Sequence, residues 1–104
     1  MQGAFAGFDW DAGNRAKCQK HGVSVAEIEA LLRGSPRVAP DIKHAHLEDR
    51  LIAVGRTAGG RPIFVAFAIR ARNEKLLIRP ISARYMHDKE IKNYEAQRPP
   101  DEDG

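Results

Sequence analysis

A single cysteine, Cys18, stands in 104 residues, so the chain has no internal disulfide framework and no cysteine-built zinc cluster. Cys18 reads as a small residue on a helix face. No apolar run reaches the roughly 18 residues that a bilayer span needs. The opening MQGAFAGFDWD lacks the basic n-region and long apolar h-region of a signal peptide. A cytoplasmic chain without membrane contact is therefore expected. There is no internal repeat and no linker long enough to divide a domain. Nor is there a phosphate-cradling glycine loop, a nucleophile elbow or a cysteine–histidine pair. His44 and His46 form HAH, but two histidines without a third ligand do not make a metal site. No cofactor is expected.

What is present fits one modest globular domain. Hydrophobic residues make up 42% and charged residues 30%, enough for a single core. We expect the domain over residues 1–98 and an acidic flexible tail over 99–104. The net charge of +3 is unevenly spread. Residues 1–49 sum to −1, residues 50–98 to +7, and the tail PPDEDG to −3. The cations gather in the second half, where a polyanion can be gripped.

Asp11 is a suitable N-cap for a first helix in DAGNRAKCQKHG, and Gly22 suits the left-handed residue that ends it. Ser24 and Glu27 form a capping box for a second helix, with Val23 and Ile28 as its hydrophobic staple. Val25, Ile28, Leu31 and Leu32 then make one apolar stripe. Gly34 and Pro36 end that helix. SPRVAPDIKHAHLED is polar and proline-broken and reads as a loop. RLIAVGRT, PIFVAFAI and KLLIRPIS read as strands, joined by AGGR, with positive φ at Gly59 and Gly60, and by RARNE. Short connections predict an antiparallel meander of three strands, or four if FAGF adds one. Pro80 cannot donate a ladder hydrogen bond, so it marks an edge or a bulge. HDKEIKNYEAQR reads as a last helix capped by Asp88. The fold class is α+β: two N-terminal helices, the sheet, and a C-terminal helix, with one sheet face left to bind.

Strong cations thread the third strand. Regular alternation places Leu77, Arg79 and Ile81 on one face and Leu76, Ile78 and Pro80 on the other. Arg84 follows Ser82 where that strand ends. Arg56 falls at the same end of the meander, and Arg70 at the opposite end. Guanidinium groups hold phosphate bidentately at any physiological pH. The plainer account pairs these arginines with Glu74, Glu90 or Glu95. Lys20 and His21 sit at the C-terminal end of the first helix, where the helix dipole favours cations; they are also a candidate phosphate clamp and general base.

FDWD, the following Asn14, KHGVS, VG, ISAR, KE and YE together resemble the BrnT toxins of bacterial toxin–antitoxin pairs, across about residues 8 to 95. The resemblance implies a RelE-like fold, RNA cleavage, and neutralisation by a BrnA-like partner with a ribbon-helix-helix DNA-binding domain. Promoter DNA would then be bound through that antitoxin only. Position by position, Lys20 and His21 match the family's Lys-His-Gly. Arg79, Ser82, Ala83 and Arg84 match its strand-three pattern, and Glu90, Tyr94 and Glu95 its closing segment. Ala12, Cys18, Pro80 and Tyr85 depart from the family's usual residues.

RNA can be cut without a metal because its own 2′-OH attacks the adjacent phosphate. The protein must supply a base, cations for the phosphorane and an acid for the leaving 5′ oxygen. Lys20, His21, Arg79, Arg84 and Glu90 form the expected catalytic set, with Arg79 and Arg84 on the phosphate and His21 or Glu90 as base. Arg56, Arg70, Ser82 and Tyr94 are expected RNA contacts. A non-catalytic RNA-binding module, or a structural subunit meeting an acidic partner, explains the same basic half.

Overall fold

The computed structural model describes residues 5–41, 50–87, 89–90 and 92–93. Its elements run β1 (Gly7–Phe8), α1 (Ala12–Gln19), α2 (Val25–Arg33), β2 (Arg37–Pro40), β3 (Arg50–Arg56), β4 (Pro62–Arg72) and β5 (Lys75–Tyr85). The strands form one five-stranded mixed sheet in the order β1-β5-β4-β3-β2. The fold is α+β.

Both helix starts follow from their caps. The Asp11 side chain accepts the Asn14 amide at 2.9 Å, and Asn14 Oδ1 accepts the Asp11 amide at 2.7 Å. Ser24 and Glu27 repeat the exchange on α2. Gly22, at φ 91°, turns the chain between the helices. Ile28, Leu31 and Leu32 bury the inner face of α2, whereas Val25 is only half-buried. They pack with Cys18, Val23, Ala53, Ile63, Val65, Phe67, Ile78 and Ala83 into the main core. The packing is close at Gly55, where a Cβ would meet Leu31 Cδ1 at 2.5 Å.

The sheet differs from the expected meander in four respects. First, β1 adds a parallel edge, pairing Gly7 with Leu77 and Phe8 with Ile78. Second, part of the expected loop is strand: β2 pairs antiparallel with β3 from Arg37↔Val54 to Pro40↔Leu51. A proline-flanked strand is tolerated there because it lies at the sheet edge. Third, RARNE is not all turn. β4 runs on to Arg72, which pairs with Lys75, leaving a two-residue turn of Asn73 (φ 51°) and Glu74 (φ 65°). Both positive φ values match the twist of the hairpin, and Asn tolerates them. Fourth, of the two turn glycines only Gly60 has positive φ. The expected last helix with its Asp88 cap, the HAH histidines and the acidic tail fall largely or wholly outside the described residues.

Pro80 lies at a bulge. Phe67 pairs with Pro80 but Ala66 with Ser82, so Ile81 is the extra residue. The slip resets the two-residue alternation. Ile78, Pro80, Ala83 and Tyr85 face the helices, beside Ile69, Phe67, Val65 and Ile63. Arg79, Ser82 and Arg84 face the other way, beside Ala68, Ala66 and Phe64. Ile81 packs with Ala66 and Ala68 in a second small cluster. The same bookkeeping across the register puts every lysine and arginine of β2–β5 on this second face: Arg37, Arg50, Arg56, Arg70, Arg72, Lys75, Arg79 and Arg84.

Candidate active site at the end of β5

The FDWD segment and Asn14 form a staple that fixes β1 and α1 to β5. Phe8 packs on the core. The Trp10 indole donates to Glu29 on α2 at 2.8 Å. Asp9 lies 3.2 Å from Arg72 and 3.6 Å from Arg79. Asp11 caps α1 and takes a 2.8 Å bond from Arg79. The Asn14 amide and then Arg79 hold the Asp11 carboxyl below its ordinary range. The Asn14 side chain is buried and donates to the Asp9 carbonyl at 3.0 Å and the Pro80 carbonyl at 2.8 Å. Arg79 thus belongs to a network with Asp9 and Asp11. It also lines a cavity of about 310 Å³ with Gly13, Asn14, Lys17, Pro80 and Ile81.

Arg84 lies elsewhere. Its β4 partner Phe64 is four residues from Ala68, the partner of Arg79. That is about 13 Å at the usual rise of a strand. The two arginines share a face but not a cavity. Arg84 lines a cleft of about 380 Å³ with His21, Arg61, Tyr85, Met86 and His87. The cleft forms where the α1–α2 turn, the start of β4 and the end of β5 meet.

Arg84 is held on both sides. Its guanidinium lies 4.8 Å over the Phe64 ring. Nη1 and Nη2 donate to Glu90 Oε1 and Oε2 at 2.6 and 2.7 Å, a bidentate pair. The His87 amide adds a 3.0 Å bond to Glu90 Oε1. Arg84 first, and that amide second, pull the Glu90 carboxyl down to about 2. The pairing of Arg84 with Glu90 was the plainer of the two accounts of this arginine.

Tyr85 ties the cleft to the helices. Its hydroxyl donates to Glu27 Oε1 at 2.9 Å, the carboxylate that closes the α2 capping box. The Glu27 charge raises the phenol above its ordinary range. On the ring itself sits Arg61, with Cζ 3.4 Å from the centroid.

Of the residues expected from sequence, His21 and Arg84 line this cleft, and Glu90 joins them only through its pair with Arg84. Lys20 is the exposed C-cap of α1, next to His21 in the chain. Arg79 is set apart with Asp9 and Asp11. Ser82 lies on the basic face between the Arg79 and Arg84 rows. Arg56 lies at the Arg84 end and bonds the Gly60 carbonyl at 2.9 Å, and Arg70 lies at the opposite end. Tyr94 lies outside the described residues. Sequence reading passed over Arg61, His87 and Lys17. It noted Tyr85 only as a departure from a family pattern.

These features define a small basic α+β protein with a histidine–arginine cleft at one end of a cationic sheet face. Residues 10–90 match the family model described as the ribonuclease toxin BrnT of type II toxin–antitoxin systems. The match covers most of the chain, and the protein belongs to that family. Its family is one of ribonuclease toxins, whose type implies an RNA substrate and an antitoxin partner. No curated protein matches the chain. Among the described residues no helix is long and apolar enough to cross a membrane.

Proposed function

We propose that the chain is a RelE-like endoribonuclease that cuts RNA by attack of the substrate's own 2′-OH, with the chemistry in the His21–Arg84 cleft. The observation that carries this is the cleft itself: imidazoles and guanidiniums converge at one end of a face holding all the strand cations. Single-stranded RNA lies along that face, its phosphates drawn by charge. At the cleft, the 2′-oxygen bonds to phosphorus as its proton passes to a base. The bond to the 5′ oxygen breaks as that oxygen takes a proton, leaving a 2′,3′-cyclic phosphate and a 5′-hydroxyl. Arginine charge stabilises the phosphorane.

Between the two candidate bases, His21 fits better than Glu90. A carboxyl held at about 2 by Arg84 has little proton affinity. Glu90 serves instead to hold Arg84. Arg79 and Arg70, farther along the face, follow the RNA backbone, and Lys20 adds charge beside His21.

A ribbon-helix-helix antitoxin neutralises the chain by covering the basic face, so antitoxin and RNA compete. The complex binds promoter DNA through the antitoxin alone. The test is partner-free protein with total RNA in EDTA, beside Arg84→Ala and His21→Ala. Wild type yields fragments, and each variant loses about 100-fold or more, the scale of removing the proton-transferring group at His21 or the guanidinium charge that Arg84 sets beside the phosphate. Intact RNA with wild type, both free and in the presence of translating ribosomes, would replace the enzyme with an RNA-binding module.

A further inference from the structure

We infer that Arg61, laid on the Tyr85 ring, is the cleft's principal phosphate-binding guanidinium. This rests on the RNA-cleaving reading above and names a residue outside the expected site.

The cleft contains two guanidiniums in different situations. Arg84 has both terminal nitrogens on Glu90. Its bidentate edge, the edge that fits a phosphate, is already filled by a carboxylate. An RNA phosphate reaches that edge only by displacing Glu90. Arg61 is fixed by its flat face instead. Its Cζ sits 3.4 Å from the Tyr85 centroid, and its charge acts on the Glu27 carboxylate behind that ring through space, with no salt bridge among the described residues. Stacking uses the π surface and leaves the in-plane N–H donors of a guanidinium pointing outward.

The platform is itself anchored. The Tyr85 hydroxyl bonds Glu27, which is locked by the capping box of α2. The backbone of Arg61 is fixed too. Its amide donates to Thr57 Oγ1 at 3.2 Å, and its carbonyl accepts the Thr57 amide at 2.8 Å. Arg61 is exposed, so its side chain costs the fold little to change. Its neighbours in the cleft are His21 and His87, so a phosphate on Arg61 lies among imidazoles that can move protons. Tyr85 is then a positioning residue acting through Arg61.

The experiment measures both binding and cleavage. Binding uses fluorescence anisotropy with a fully 2′-O-methylated oligoribonucleotide, which lacks the attacking hydroxyl. The proteins are wild type, Arg61→Ala, Arg61→Lys, Tyr85→Phe, Tyr85→Leu and Arg61→Ala/Tyr85→Leu. Arg61→Ala weakens binding about tenfold, and the slope of log affinity against log salt falls by about one, as for one lost phosphate contact. Arg61→Lys restores the slope but not the full affinity, since an ammonium neither stacks nor forks. Tyr85→Phe keeps the ring and stays near wild type. Tyr85→Leu falls to the Arg61→Ala level, and the double variant falls no further, the non-additivity of two groups acting as one.

Unchanged affinity and salt slope in Arg61→Ala would overturn the inference, whatever the chain does to RNA. If Arg61→Ala also cut RNA at the wild-type rate while Arg84→Ala did not, the ribonuclease reading would stand and the Arg61 assignment would fall. If wild type cut nothing, the binding series would still decide Arg61. Additive losses in the double variant would remove Tyr85 as platform, and unfolding midpoints of Tyr85→Leu and Tyr85→Phe identify a loss due to folding alone.

Discussion

Asn14→Ala should be among the costliest single changes in this chain, although Asn14 sits in a motif that invites a catalytic reading. Its side chain is buried and makes three bonds at once: it accepts from the Asp11 amide at 2.7 Å and donates to the carbonyls of Asp9 at 3.0 Å and Pro80 at 2.8 Å. Truncation removes all three. An ordinary bond contributes about 1 kcal/mol, and an acceptor left buried and unpaired costs about 1–3 kcal/mol. The Pro80 carbonyl is such an acceptor, since its bond is the fully buried one. The sum is about 3 kcal/mol, and at about 4–8 °C per kcal/mol for a domain of this size it lowers Tm by roughly 12–24 °C. Asn14→Asp is a sharper variant. It keeps the acceptor for Asp11 but sets a carboxylate against two carbonyls, so its loss at neutral pH should match or exceed that of alanine and shrink in acid. Urea unfolding of wild type and both variants checks this, with RNA cleavage assayed well below the lowered Tm. Activity should persist there, because Asn14 fixes β1 and α1 to β5 and does not line the cleft. A stability change within 0.5 kcal/mol for Asn14→Ala would refute the accounting, and lost activity in a folded variant would move Asn14 into the site.

Two further outcomes follow from local geometry. Glu90 is ionised at lower pH in the folded chain than its ordinary value near 4.5, at about 2. Its pair with Arg84 therefore stabilises fully above pH 4.5 and fades as pH falls toward 2. With the Glu90 side chain 36% exposed, solvent screening cuts the contribution to on the order of 1 kcal/mol. Glu90→Gln should be less stable than wild type by that amount at pH 7 and converge with it near pH 2; a gap that does not narrow in acid would refute the pairing. Glu74→Gly should stabilise the hairpin by about 0.5–1 kcal/mol, because Glu74 holds φ 65°, where side chains are disfavoured; a lower urea midpoint would count against the turn geometry.

The helices were legible because their signals are local. Asp11, Ser24 with Glu27, Gly22 and Gly34 each act within one turn of the chain. The three central strands were legible from their apolar runs. β2 was not, because RVAP, which follows one proline and ends in another, carries no strand signal of its own; pairing with β3 makes it a strand. The cleft was half legible. Lys-His-Gly and Ser-Ala-Arg stand out as local patterns, so His21 and Arg84 were found. Arg61 has no such pattern. It meets Tyr85 only because β4 and β5 pair Ile63 with Tyr85, which lays residue 61 over that ring. The expected partnership of Arg79 with Arg84 rested on their shared strand and on a family pattern. Asp9 and Asp11, about seventy residues away in the chain, decide where Arg79 goes.

The bulge decides what the strand-three arginines can do. In an unbroken strand, residues 79 and 84 point to opposite faces, since they differ by an odd number. Arg79 and Arg84 then cannot both serve one surface, and Arg84 or Ala83 must exchange places in the core. A guanidinium among Val65, Val23 and Ile63 has no compensation for its lost hydration. The extra residue at Ile81 removes the conflict. It keeps Ile78 and Ala83 with the helices while Arg79 and Arg84 share the basic face. Proline at position 80 suits this place, because a bulge does not need the amide that proline lacks. Pro80 thus falls where the backbone already leaves the regular ladder. There it preserves the phase on which the cationic face depends.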